Sequence, residues 1–277
     1  MKVIEKFILG KAPDQTKCED GIFVDENFVA VVDGATSKSN FSHEGKSSGR
    51  KAMEIILKAM ESLPKDIKGG QAMLLLNEKI KSWYEETGFL QSMKISASER
   101  CTAAVTVYSR YCREIWQLGD CPAMIDGRVI GNEKYVDELF SNLRAFYLES
   151  ELLEGKSPEE LKKNDVGREM VLSFIKRQSK FQNVGSKNVF KYEIIDGFFS
   201  DIEAVKIIPV PDGTKEIVLA SDGYPVLYSN LEESENKLRE ILQKDPLLFR
   251  EFKSTKGLIP GNNSFDDRAF VRIDLKN

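Results

Sequence analysis

The chain predicts an antiparallel α+β layered fold, and three features carry that prediction. Helix-like and strand-like segments arrive in blocks, neighbouring apolar runs are joined by turn-sized polar links, and a regular strand-helix alternation is missing. Residues 2–9, KVIEKFIL, alternate apolar with charged or small side chains and form an opening strand, which the polar KAPDQTKC follows. Two further strands flank residues 25–27, whose Asp-Glu-Asn composition suits a hairpin turn. After Thr36 a polar stretch leads into AMEIILKAMESL, where Met53, Ile56, Leu57 and Met60 recur at helical spacing. Pro64 and Gly69-Gly70 punctuate it before a second amphipathic helix at 72–86, with Leu75, Leu76, Ile80 and Trp83 on one face. Two helices following two strands predict a helical layer packed on a sheet.

From Cys101 the period changes to that of strands: CTAAVTVY, EIWQLGD and AMIDGRVI, closely spaced, predict an antiparallel meander. Residues 133–182 return to charged, helix-forming sequence. Two helices are expected there, linked around 154–157, with Ser157-Pro158-Glu159-Glu160 as a helix start. Strand patterns resume in VFKYEII, IEAVKIIPV and KEIVLAS, the last two separated by the turn PDGT. A helix at 233–252 and the strand RAFVRIDL close the chain. With no internal repeat or linker in view, 1–277 reads as a single domain.

A 41% hydrophobic content supplies a sizeable core, and 44 acidic against 40 basic residues give a net charge of −4. That balance leaves no basic footprint for nucleic acid. Cys18, Cys101, Cys112 and Cys121 have neither zinc-site spacing nor the density of a disulfide scaffold, which points to a reducing compartment. The start MKVIEKFILG lacks a signal peptide's apolar core, and no window approaches the roughly twenty apolar residues of a membrane span. A cytoplasmic protein without membrane contact is therefore expected.

The stretch 19–36, EDGIFVDENFVAVVDGAT, organises the functional reading. An apolar run delivers Asp33 and Gly34 at its end, where a carboxylate meets the sheet edge and a glycine lets its carbonyl approach an ion. Asp-Gly occurs six times, and tight-turn chemistry reads Asp126-Gly127 and Asp212-Gly213 as hairpins and Asp196-Gly197 as a turn. Asp33-Gly34 and Asp222-Gly223 follow apolar strands without an obvious return strand. Asp120 closes EIWQLG, and Asp266-Asp267 directly precede the last strand. A strand-end aspartate taken alone is a solvated carboxylate. Several at one sheet edge repel unless cations stand among them, and oxygen-only ligands favour magnesium, manganese or calcium over zinc.

These residues resemble the motifs of the metal-dependent serine/threonine protein phosphatases of type 2C. EDGIFVDENFVAVVDGAT is similar to the first two acidic motifs, and CTAAVTVY to the small-residue strand. IWQLGDCPAMI is similar to the Gly-Asp strand-turn-strand, VLASDGYPVLY to the Asp-Gly turn after an apolar strand, and DDRAFVRI to the closing segment. The motifs keep their order over roughly 1–127 and 189–275, leaving 128–188 as a divergent helical or flap region. The resemblance implies a four-layer α-β-β-α sandwich of two antiparallel sheets flanked by helices. It also implies a site for two Mg2+ or Mn2+ ions at one end and a phosphorylated protein as substrate. By motif position Asp33 would bridge both ions and Gly34 lend its carbonyl. Asp222 and Asp266 would complete one shell, Glu19 and Asp20 would act on the other side through waters, and Asp120 would hold a weaker third ion with Asp222. Asp33, Asp222 and Asp266 are thus the implied catalytic residues.

Two departures bear on the chemistry. Gln15 stands where the family often has a phosphate-clamping arginine, with Lys11 or Lys17 as substitutes that lack its bidentate fork. Ala35 stands where many members have a histidine, and the sole histidine, His43, reads as an uninvolved surface residue. Cys18, beside Glu19, has no histidine partner for a thiol mechanism. The readings left are metal-dependent phosphoester hydrolysis, a catalytically silent phosphatase-like binding or regulatory module, and a domain binding calcium structurally.

Overall fold

The computed structural model describes residues 1–35, 41–131, 134–185 and 187–276, so residues 36–40 of the polar stretch lie outside it. Two antiparallel sheets stack face to face. In spatial order the first contains β1 (Lys2–Leu9), β12 (Arg268–Asp274), β11 (Glu216–Ala220), β8 (Ala123–Ile125) and β9 (Arg128–Ile130). The second contains β10 (Lys206–Pro209), β7 (Glu114–Leu118), β6 (Ala103–Ser109), β3 (Phe28–Gly34) and β2 (Asp20–Val24). A small ribbon of β4 (Ser42–His43) and β5 (Lys46–Ser47) precedes α1 (Ser48–Met60). The remaining helices are α2 (Gly69–Glu86), α3 (Leu90–Ile95), α4 (Tyr135–Leu153), α5 (Pro158–Lys163), α6 (Val166–Gln178) and α7 (Leu231–Lys244). Among the described residues no helix is long and apolar enough to cross a membrane.

The layering follows from the period of two along central strands that are apolar on both faces. In β3, Phe28, Ala30 and Val32 meet Met53, Ile56 and Met60 of α1 and Met73, Leu76 and Ile80 of α2. Val29 and Val31 of the same strand point the other way, into a core shared with Ile217, Leu219, Val271 and Ile273 of the facing sheet. The outer face of that sheet buries Val218, Ala220 and Phe270 under Tyr224, Leu227 and the start of α7. Each fully buried aliphatic or aromatic side chain contributes about 1.5–3 kcal/mol. The result is helices, sheet, sheet, helix.

Several segments depart from the expectation. The predicted meander of CTAAVTVY, EIWQLGD and AMIDGRVI is broken. β6 and β7 pair, but β8 pairs with β11 in the other sheet, and the chain changes sheets at Gly119-Asp120. Gly119 has φ +90°, and a Cβ there would sit 2.5 Å from that of Ala104, so the crossing needs glycine. Asp212-Gly213 likewise joins β10 to β11 in different sheets and is not a hairpin, whereas Asp126-Gly127, both at positive φ, closes the β8–β9 hairpin. VFKYEII forms no strand. Isolated bridges Ala103–Ile195 and Gln182–Tyr192 remain, and the Asn183 side-chain amide takes both backbone groups of Ile194 that a ladder would use.

Among the described residues of 133–182 there are three α-helices and not two. Ser157 and Glu160 form a capping box that starts α5, and Asp165 caps α6 through the Arg168 amide. The last helix ends at Lys244 and not near Phe252, because Asp245 precedes Pro246, which disfavours helix, and its Oδ2 caps the amides of Phe249, Arg250 and Glu251.

One buried charge ties α4 to this C-terminal loop. Arg144 is fully buried, donates to the carbonyls of Leu247, Leu248 and Ser254, and pairs with Asp165 at 2.6 Å. Arg144→Met leaves three carbonyls unbonded and Asp165 without its cation. It should destabilise the fold by about 3–5 kcal/mol in urea titration, and a loss below about 1 kcal/mol contradicts the anchoring role.

Candidate metal centre and cleft

Strand register brings the acidic residues together. Asp20 opens β2 directly opposite Asp33, which with Gly34 closes β3. Asp120 lies at the sheet switch after β7, Asp222 follows β11, and Asp266-Asp267 precede β12. All these strand ends lie at one end of the sandwich. A side chain on Gly34 would collide with the Gly49 carbonyl at the start of α1, so the close approach of helix and strand requires glycine.

The carboxylates feel one another. Burial pushes the Asp33 carboxyl well above the ordinary range, and Asp222, Asp20, Asp266 and Asp120 push it further. Asp20, 4% exposed, is raised by burial against the opposing Ser221 hydroxyl, with Asp267, Asp266 and Asp222 adding to the rise; its Oδ2 atom is buried without a hydrogen-bond partner. Asp222 is pushed up to about 7, by enclosure and then by Asp266 and Asp120, and lies within hydrogen-bonding reach of Asp33. Asp222 is exposed where it lines the cleft.

Lysines stand among these acids. Lys11 Nζ contacts Glu19 Oε2 at 3.2 Å, Asp266 Oδ1 at 3.4 Å and Asp267 Oδ2 at 3.1 Å. Lys134 meets Asp120 at 2.6 Å, and Lys256 meets Asp266 Oδ2 at 2.5 Å. Burial alone would lower the pKa values of Lys11 and Lys134, yet the neighbouring carboxylates hold both above the ordinary lysine value. Glu19 also accepts from the Ser47 hydroxyl, the cap of α1, at 2.6 Å. Gln15 is spent within its own loop, accepting from the Gly10 amide and donating to the Ala12 carbonyl. Lys17 is exposed and pairs with Asp14. His43 is packed edge-on against Trp83 and Phe89 rather than loose on the surface.

Asp33, Asp120, Asp222 and Asp266 line a cleft of about 740 Å3 together with Lys134 and Lys256. α4 and the segment 250–256, which are bonded to each other, both line it. Ser221, Lys134 and Lys256 were not singled out from sequence, and Asp267 was named there as a strand-end aspartate without a role at the metal site. Asp267 had a visible signal in its neighbour Asp266, whereas the two lysines sit in ordinary polar sequence. The thiols are poor nucleophiles: burial drives that of Cys18 up to about 12, and Cys121 is raised by burial and then by Asp33.

Among the described residues no group of three or more His, Cys, Asp or Glu side chains is arranged as a ready-made metal shell. The donor chemistry nevertheless fits a hard divalent cation. Every candidate ligand is an oxygen, Asp20 Oδ2 lacks a partner, and Asp33 feels the charge of four acids, Asp222, Asp20, Asp266 and Asp120.

No protein-family model matches the chain, and no curated protein matches it. Its structure is similar to that of the Mycobacterium tuberculosis serine/threonine phosphatase PstP/Ppp, at 15% identity and TM-score 0.49 over 100% of both chains. It is also similar to serine/threonine phosphatase Stp1 from Staphylococcus aureus, at 14% identity and TM-score 0.47 over 100% of this chain and 96% of the other. A third is the catalytic domain of PstP in complex with 2 manganese ions, at 16% identity and TM-score 0.49 over 99% of each chain. These are proteins of the kind that the five sequence motifs resemble. At such low identity and TM-score the likeness carries no functional weight, which falls on the cleft itself.

Raised carboxyl pKa values make stability depend on pH with a definite sign. Between the unfolded value of about 4 and the folded value of Asp222 near 7, the folded chain holds more protons than the unfolded one. This contribution is complete below about pH 4 and is lost as pH rises through 7. In chelator the melting temperature should fall from pH 5 to pH 8, and Mn2+ should raise it more at pH 8 than at pH 5. A melting temperature that stays flat or climbs over that window contradicts the carboxylate cluster as its cause.

Proposed function

We propose that this chain hydrolyses phosphoesters with the aid of bound Mg2+ or Mn2+, acting on phosphoserine or phosphothreonine in proteins. The observation that carries the reading is the meeting of Asp20, Asp33, Asp120, Asp222 and Asp266 at one end of the sandwich, beside a 740 Å3 cleft open to solvent. Asp33, Asp222 and Asp266 would hold an ion, with Asp20, Glu19, the Gly34 carbonyl and Asp120 as the further oxygen donors of the cluster. When bound, such ions act as Lewis acids toward phosphoryl oxygens and lower the pKa of bound water into the neutral range.

The chain's own side chains do the rest. Lys134 and Lys256 line the cleft beside the acids and meet the negative charge of an incoming phosphoryl group, the work Gln15 cannot do from inside its loop. The α4 wall and the segment 250–256, tied together through Arg144, hold the cleft's width. The volume admits a phosphorylated side chain with its flanking backbone. No cysteine enters, because the buried thiols stay protonated at neutral pH.

Purified protein should release phosphate from phosphoserine and phosphothreonine peptides with manganese and lose that activity in chelator. Asp33→Asn should retain the fold by circular dichroism while turnover falls more than about a hundredfold. Chelator-insensitive turnover, or an Asp33→Asn variant as fast as the parent, refutes the assignment.

A further inference from the structure

We propose that the Lys11 ammonium group is a resident monovalent cation of the acidic cluster, standing where Glu19 would support a second divalent ion, so that the wild-type chain takes up one divalent ion and not two. The inference rests on the cation-binding reading of the same cluster and specifies its occupancy.

Two things distinguish Lys11 from an ordinary surface lysine. Its backbone is pinned on both sides to the segment before β12: the amide donates to Asp267 Oδ1 at 2.7 Å, and the carbonyl accepts from the Asn263 amide at 2.7 Å. Its ammonium then reaches three carboxylates, two of which, Glu19 and Asp267, are only 4% exposed. Buried carboxylates at this density need positive charge, and here the chain provides it. Glu19 and Asp267 are further joined by the Glu19 amide, which donates to Asp267 Oδ2 at 3.1 Å. The seat is therefore built from both ends of the chain and closes around the ammonium group.

The inner half of the cluster is different. Asp20 Oδ2 is buried with no hydrogen-bond partner, and Asp33 lies among Asp20, Asp222 and Asp266. Demand for a cation thus remains at Asp20, Asp33 and Asp222 after Lys11 has neutralised part of the outer half. A divalent ion beside Glu19 would have to displace an ammonium group from three oxygens at once or bear its repulsion.

The test counts ions rather than turnover. Metal-free wild type, Lys11→Met and Lys11→Arg would be saturated with Mn2+, freed of excess, and assayed for bound manganese and by electron paramagnetic resonance. Wild type and Lys11→Arg, which keeps the charge, should carry about one ion with the six-line spectrum of isolated manganese. Lys11→Met should carry about two, with the broadened spectrum of ions roughly 3.5–4 Å apart. Should Lys11→Met fail to fold without metal, Lys11→Gln prepared in manganese throughout gives the same count. Two ions in the wild type, or one in both neutral variants, overturns the role of Lys11 and leaves the proposed function standing. No manganese in any of the proteins overturns both.

Discussion

Mutual repulsion of carboxylates at one end of the sandwich is the constraint that the rest of the molecule answers. Asp20 and Asp33 face each other across β2 and β3, and like charges directly opposite on adjacent strands are unfavourable. The register cannot slip to relieve them. A shift of one residue would turn Val29 and Val31 out of the inter-sheet core and Ala30 and Val32 away from α1. The core therefore forces the acids together, and positive charge has to be found locally. Lys11, Lys134 and Lys256 meet part of that need, and the unpartnered Asp20 Oδ2 marks what they leave.

The cluster is also where the two ends of the chain are joined. β1 pairs with β12 over seven register positions, and the pairing delivers Lys11 beside Asp266 and Asp267. Further along β12 Arg272 bridges Glu5 of β1 and Glu216 of β11, so charge pairing continues from the site into the sheet. Fold stability and site assembly depend here on the same contacts. A change that loosens β12 moves a candidate ligand as well as a strand.

The helical wall makes the cleft a cleft. α4 packs on α6, and the small cluster of Ala145 and Leu148 from α4 and Leu161 from α5 closes against Leu247 and Phe249. Arg144 locks that contact by satisfying carbonyls that the irregular segment after α7 cannot pair within itself. Lys134, just before α4, meets Asp120, and Lys256, at the end of the segment 250–256, meets Asp266, so both ammonium groups stand at the cleft beside the carboxylates.

Local pattern was enough for much of this. The apolar runs that became β2, β3, β6, β7, β11 and β12, the two helices after β3, and aspartates standing at strand ends are all written in neighbouring residues, because periodicity is a property of the chain's own next few positions. Only the tertiary structure decided that β7 and β8 belong to different sheets, that Asp212-Gly213 bridges sheets instead of closing a hairpin, and that VFKYEII gives up its ladder to Asn183. It alone decided which cations meet the acids. Lys17 lies closer to Glu19 in sequence than Lys11 does, yet Lys11 is the one carried in, by backbone bonds to residues 263 and 267. Such outcomes depend on contacts that run from 11 positions apart, for Asn183 and Ile194, to 256, for Lys11 and Asp267, and periodicity holds no information about which of these groups meet.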